Sequence, residues 1–166
     1  MRDNPRNAYG QGLSYATANR GACHLNGGYL VLLEGLGLSA KGRSTASKAG
    51  LGAMFQCLME AISCSGICLF TSYAVFPSLV LKNRAVNKIF SAVLAVSGPL
   101  VAFALRHPGL LPLKGLLVPY PEALERTTGI PMNLGRFLTA GKASYDLERR
   151  INLRQGLTSA EDTLPE

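Results

Sequence analysis

Between residues 47 and 62 apolar side chains recur with the spacing of a single helix face, and this stretch constrains the fold more than any other. Leu51, Met54, Phe55, Leu58, Met59 and Ile62 stand at i, i+3, i+4, i+7, i+8 and i+11, which brings all six to one side of an α-helix. Ser47 is placed to cap its start, and Lys48, Gln56 and Glu60 fall off the stripe. Such a helix is stable only when its stripe packs against other elements. A chain of 166 residues that is 48% hydrophobic and 16% charged has the material for one sizeable core.

The remainder reads as further helices joined by glycine- and proline-rich connections. Residues 1–12 are irregular, and a short helix is expected over 13–20, ended by Gly21. Residues 29–38 are apolar in a pattern that fits a strand or a buried helix equally well. The helix from Ser47 should stop within 63–66, and an apolar segment over 69–81 is limited by Pro77. After the polar break Lys82-Asn83-Arg84, residues 87–105 predict a helix kinked or divided at Gly98-Pro99. Residues 106–121, with prolines at 108, 112, 119 and 121, predict an extended surface loop. A short helix over 122–128 should end at Gly129. Asn133 can then cap a last long helix with Leu134, Phe137, Leu138, Gly141, Tyr145, Leu147 and Ile151 on a drifting stripe closed by Gly156. The expected fold is all-α: one irregular helical domain over 1–166 with Gly/Pro-rich connections.

Composition narrows the function classes. Lys plus Arg number 17 against 10 Asp plus Glu, a formal charge of +7, but the basic residues are scattered and no nucleic-acid signature accompanies them. A solvated basic surface is therefore expected, with no nucleic-acid partner. The cysteines at 23, 57, 64 and 68 lack the spacing of a secreted disulfide framework, and the sequence from Met1 shows no apolar signal region, so a reducing, cytoplasmic setting is expected. Residues 89–105 are 17 in a row without a charge, which raises a membrane reading with 51–81 as a second span. Gly98-Pro99 in the first of these and Gln56 and Glu60 in the second weigh against it.

Two short polar insertions carry the chemistry, Arg20-Gly21-Ala22-Cys23-His24 and Ser63-Cys64-Ser65-Gly66-Ile67-Cys68. Each sets imidazole or thiol beside glycine, which allows close backbone approach to a ligand. A single histidine is more often structural than catalytic. In an open cleft, however, the His24 imidazole would suit proton transfer at a developing oxyanion or a hydrated carbonyl. Cys23 points away from its neighbour on any regular element, so a Cys-His pair is not expected. Cys68, just past a helix end, is placed either as a small buried hydrophobe or as a thiolate offered to a cluster. Cys64 lies one helical turn earlier, Cys57 is placed to pack, and no complete metal site is specified by the chain itself.

Taken in order, four blocks closely resemble the C-terminal part of the aldehyde ferredoxin oxidoreductase family. They are Asn4-Pro5-Arg6; the run from Gly10 to His24; Ser65-Gly66-Ile67-Cys68-Leu69-Phe70; and the run from Leu147 to Gly156 with Asp162-Thr163-Leu164-Pro165. The resemblance implies a tungsten or molybdenum bis-pterin and one [4Fe-4S] cluster in the complete enzyme, which oxidises aldehydes or other oxo or acyl substrates and passes electrons to ferredoxin. It implies that His24 assists proton transfer at the substrate oxygen. It further implies that Ser63, Gly66 and Ile67 contact a pterin and that Cys68 is one cluster ligand. Ser63 stands where the family motif has aspartate, so a neutral hydroxyl replaces an anionic acceptor, and Ile67 stands for leucine.

No counterpart of the family's N-terminal cofactor-binding region, with its three further cluster cysteines and catalytic glutamate, is recognised in the chain. The expectation is a C-terminal portion that works only with that missing region or subunit and is inactive alone. The alternatives are a non-catalytic helical binding protein that has lost its cofactors, and a small two-span membrane protein.

Overall fold

The computed structural model of the chain describes residues 7–21, 23–35, 43–75, 80, 82–112 and 119–164. Among these residues every regular element is a helix, as expected: α1 Tyr9–Thr17, α2 Tyr29–Gly35, α3 Lys48–Cys64, α4 Thr71–Ala74, α5 Arg84–Arg106, α6 Tyr120–Thr128 and α7 Leu134–Arg154. Short 3-10 turns occupy Pro108–Leu110 and Ser159–Glu161.

Helix α3 is the axis of the molecule, with α7, α5, α1 and α2 packed around it. Its predicted stripe is the core: Leu51, Phe55, Leu58, Met59 and Ile62 are buried against Leu30 and Leu33 of α2 and Phe137 and Leu138 of α7. Each large side chain removed from water in this way contributes about 1.5–3 kcal/mol. Met54 is only partly buried at its edge. The residues expected off the stripe are nevertheless buried, because α3 is enclosed on nearly all sides. Lys48 pairs with the Glu34 carboxylate, Gln56 Nε2 donates to Thr17 Oγ1 at 2.8 Å, and Glu60 accepts from Asn26 Nδ2 at 3.2 Å. Closest approach to α7 falls at Gly141, where any Cβ would overlap the carbonyl oxygen of Cys57.

Several boundaries differ from expectation for identifiable reasons. Helix α1 starts at Tyr9 and ends at Thr17, not over 13–20, because the Glu34 carboxylate accepts from the Gly10 and Gln11 N–H groups at 3.1 and 2.9 Å. That side chain does the work of an N-cap from 24 residues away. The open choice over 29–38 resolves to a helix as far as Gly35, and 36–38 lie outside the described residues. Of the segment 69–81, Thr71–Ala74 is helical, while Pro77 lies outside the described residues. Within 106–121 the described chain is not purely extended, since Pro108–Leu110 forms a 3-10 turn and α6 begins at Tyr120 rather than 122. Gly129 ends α6 in the left-handed conformation, as expected.

Ser47 does not cap α3 with its side chain, and Pro99 does not divide α5. One contact explains both departures. Proline at 99 cannot donate to the carbonyl of Ala95, and Ser47 Oγ donates to that freed oxygen at 2.7 Å instead. Gly98 admits the approach, since a Cβ there would overlap Ser47 Cα.

Asn133 caps α7 as predicted, accepting from Arg136 N at 2.9 Å, and α7 ends at Arg154 with Gly156 left-handed just beyond. Phe137, Leu138 and Gly141 are buried, but Leu147 and Ile151 are exposed. The second half of α7 instead presents Tyr145, Glu148 and Asn152 to the segment after α1. As for a membrane, α5 is the one helix among the described residues long and apolar enough to cross it. The other proposed span contains α3, which is enclosed by the other helices.

Candidate functional site

The segment carrying His24 is held by bonds on both sides of it. On the α7 side, Tyr145 Oη donates to Thr17 O at 2.5 Å, Asn19 Nδ2 donates to Tyr145 O at 2.8 Å, and Asn152 Nδ2 donates to Asn19 O at 2.6 Å. On the α3 side, Asn26 Nδ2 reaches Glu60, and Gly28 sits against Met59 with no room for a Cβ. Between these anchors His24 is exposed and Cys23 half-buried in a run of turns.

The second insertion leaves α3 at its C-terminus. Ser63 and Cys64 are exposed on its last turn, and Gly66 takes the left-handed conformation with open space where a Cβ would stand. Ile67 is half-buried and packs on the core, which turns Cys68 outward. Cys64 Sγ lies 3.5 Å from the Ala61 carbonyl.

One hydrogen bond joins the elements that follow the two insertions, α2 and α4. Tyr29 Oη, just past the His24 turn, donates to Ser72 O at 2.8 Å, four residues beyond Cys68. Burial, and then the proximity of Cys23 and Tyr15, push the Tyr73 pKa up. Both segments thus share one end of the α3 axis and carry exposed imidazole and thiol. They do not form a metal site by themselves, since among the described residues no group of three or more His, Cys, Asp or Glu is placed to hold an ion. Cys57 is buried, as expected of a packing residue, and burial pushes its thiol up to about 11.

Glu60, which sequence reasoning placed off the stripe and did not count among the site residues, lies close to the His24 turn. Its carboxyl is buried beneath the His24 turn; burial, then Glu148, push its pKa up, while Arg20 and the Asn26 hydrogen bond pull it down. Arg20 and Glu148 both belong to blocks that carry the family resemblance, so Glu60 is the buried group on which those blocks converge. Two apolar grooves of about 610 and about 700 Å³ flank α5, and neither is lined by His24, Ser63, Gly66, Ile67 or Cys68.

A family profile described as "Aldehyde ferredoxin oxidoreductase, domains 2 & 3" matches residues 2–166. The chain belongs to the aldehyde ferredoxin oxidoreductase family. Curated relatives include the tungsten-containing aldehyde ferredoxin oxidoreductases of Thermococcus kodakarensis, Pyrococcus horikoshii and Pyrococcus furiosus, each 27% identical over 165 residues. These alignments cover 97% of the chain but 20% of each relative, so the chain spans about a fifth of their length. No solved structure matches it significantly.

Proposed function

We propose that the chain is the C-terminal portion of an oxidoreductase that oxidises aldehydes or related oxo or acyl substrates and delivers the electrons through an iron-sulfur cluster to ferredoxin, in a reducing, cytoplasmic setting. The observation that supports it best is that the helices following the His24 and Cys68 turns, far apart in sequence, are joined by the Tyr29–Ser72 hydrogen bond while both functional side chains are exposed. The donor set fits part of a cluster and not a whole one: the exposed thiol of Cys68, with that of Cys64 one turn earlier, would have to be joined by ligands from elsewhere in the assembly. The turn at Gly66, open beside its Cα, fits close approach by a flat ligand.

When bound, the tungsten or molybdenum pterin would supply the two-electron redox chemistry and the cluster the one-electron exit. The chain's own residues then have limited and definite tasks. Cys68, as thiolate, would be the residue of this chain that holds the cluster. The Ser63 hydroxyl and the backbone of Gly66 and Ile67 would be the groups that hold the pterin, Ser63 as a neutral acceptor where an anion would hold N–H donors more strongly. His24, on a turn fixed from both sides, receives or returns the proton at the substrate oxygen.

The test is made in the complete assembly, with this chain joined to or co-produced with the N-terminal portion. Viologen reduction by aldehydes is measured alongside tungsten and iron content. His24→Gln should lower kcat by about 10²–10⁴-fold with metal content unchanged, and Cys68→Ser should remove the cluster's electronic spectrum. A full cluster spectrum in Cys68→Ser ends the assignment of that ligand. An assembly that binds neither tungsten nor iron returns the reading to a helical binding protein without cofactors, which the serine at 63 would suit.

A further inference from the structure

The outer face of α5 carries a row of exposed apolar side chains. Ile89, Val93, Val96, Leu100 and Phe103 are each more than half exposed, Val96 at 77%. They recur at alternating spacings of four and three residues, the seam along which one helix packs against another. Only 11% of the most apolar window of this 23-residue helix is buried. Soluble monomers rarely leave a continuous apolar strip of this kind to water. The two apolar grooves run along its flanks, one between α5, α3 and α7 and the other between α5, α2 and α3, so α5 stands as a ridge with room on either side.

We propose that this ridge seats the remainder of the oxidoreductase polypeptide, through an apolar helix laid along the stripe with acidic side chains near its ends. The inference rests on the function proposed above. Three observations select this occupant. The relatives are about five times as long as the chain, so most of their polypeptide lies outside it. A second copy of the chain is disfavoured by charge: α5 has Arg84 and Lys88 at one end, Arg106 at the other and no acidic residue, so pairing two copies in either direction sets cation against cation. A bilayer is disfavoured as a span because the inner face of α5 is fastened to α3 and the residue before it, through Ser47 Oγ on Ala95 O and the close approach of Gly50 to the Gly98 carbonyl.

The test introduces benzoylphenylalanine at Val96 in the protein produced by its native host, followed by irradiation and mass spectrometry of the crosslinked peptides. The expected product joins position 96 to a peptide from the part of the oxidoreductase that the relatives possess beyond this chain. Val96→Asp should weaken that assembly at least tenfold in sedimentation, while the helical circular dichroism and melting of the chain alone stay unchanged, because the side chain points away from the core. A crosslink to a second copy of this chain overturns the proposal. So does capture by lipid, with flotation on phosphatidylglycerol vesicles. A preparation that holds tungsten and iron but gives no crosslink at 96 refutes the docking face and leaves the functional reading standing. A preparation with neither metal nor crosslink removes both.

Discussion

Glu60 is a carboxyl group that the fold takes out of water and sets beneath the His24 turn. Burial, its largest influence, disfavours the charged form, so the folded-state pKa lies above the unfolded one. The fold therefore binds this proton more tightly than the unfolded chain does. The resulting stability is complete below the ordinary carboxylate range and is lost as pH rises through the raised folded value. Glu60→Gln, neutral throughout and still able to accept from Asn26, should match the parent near pH 4 and exceed it in stability by pH 7. Denaturant midpoints at pH 4 to 8 read the difference, and a gap between the two that does not change with pH would refute the assignment. At this scale the sequence was half legible. The helical period placed the apolar residues of α3 correctly, but Lys48, Gln56 and Glu60 looked solvated because their partners Glu34, Thr17 and Asn26 lie 14, 39 and 34 residues away.

Elements show the same division between local and distant causes. Asn133 and Gly129 act on their own helices and were readable, whereas α1 begins where a distant carboxylate accepts its N–H groups. In α5, Gly98-Pro99 reads as an interruption by local rules, yet the helix continues because Ser47 supplies a hydrogen bond to the carbonyl that proline leaves free. The compensation is partial. Proline inside a helix costs about 3 kcal/mol, while a hydroxyl-to-carbonyl bond returns about 0.5–1.5 kcal/mol. Pro99→Ala should therefore stabilise the chain by roughly 1–3 kcal/mol, with Ser47→Ala nearly neutral in the alanine background and measurably destabilising with proline present. Urea unfolding of the four proteins checks this, and a loss of stability in Pro99→Ala would mean that the proline is fixed by packing rather than tolerated.

At the scale of the molecule, the candidate site is made of pieces that only the fold brings together. The block ending in His24, the turn ending in Cys68 and the α7 block around Glu148 lie at three places along the chain; Asn19 bonds the first to the third, and Tyr29 on Ser72 joins the helices that follow the first and the second. Their order in the sequence was enough to show the family resemblance. Their contact was not legible, because the groups that make it are amides and hydroxyls with no periodic signal. Asn19 and Asn152 form the reciprocal clasp between the segment after α1 and α7, one donating to Tyr145 O and the other to the backbone of Asn19. Neither hydrogen bond is made to α3, and neither residue belongs to the apolar core, so losing them should loosen the turn without melting the core. Asn19→Ala and Asn152→Ala should each cost about 0.5–1.5 kcal/mol, and together they should speed amide exchange over residues 18–28 while the central amides of α3 keep their protection. Exchange that rises equally in α3 would mean the clasp belongs to the global core. Unchanged exchange over 18–28 would mean that Asn26 on Glu60 and Tyr29 on Ser72 hold the turn without it, and that the position of His24 is set from the α3 side alone.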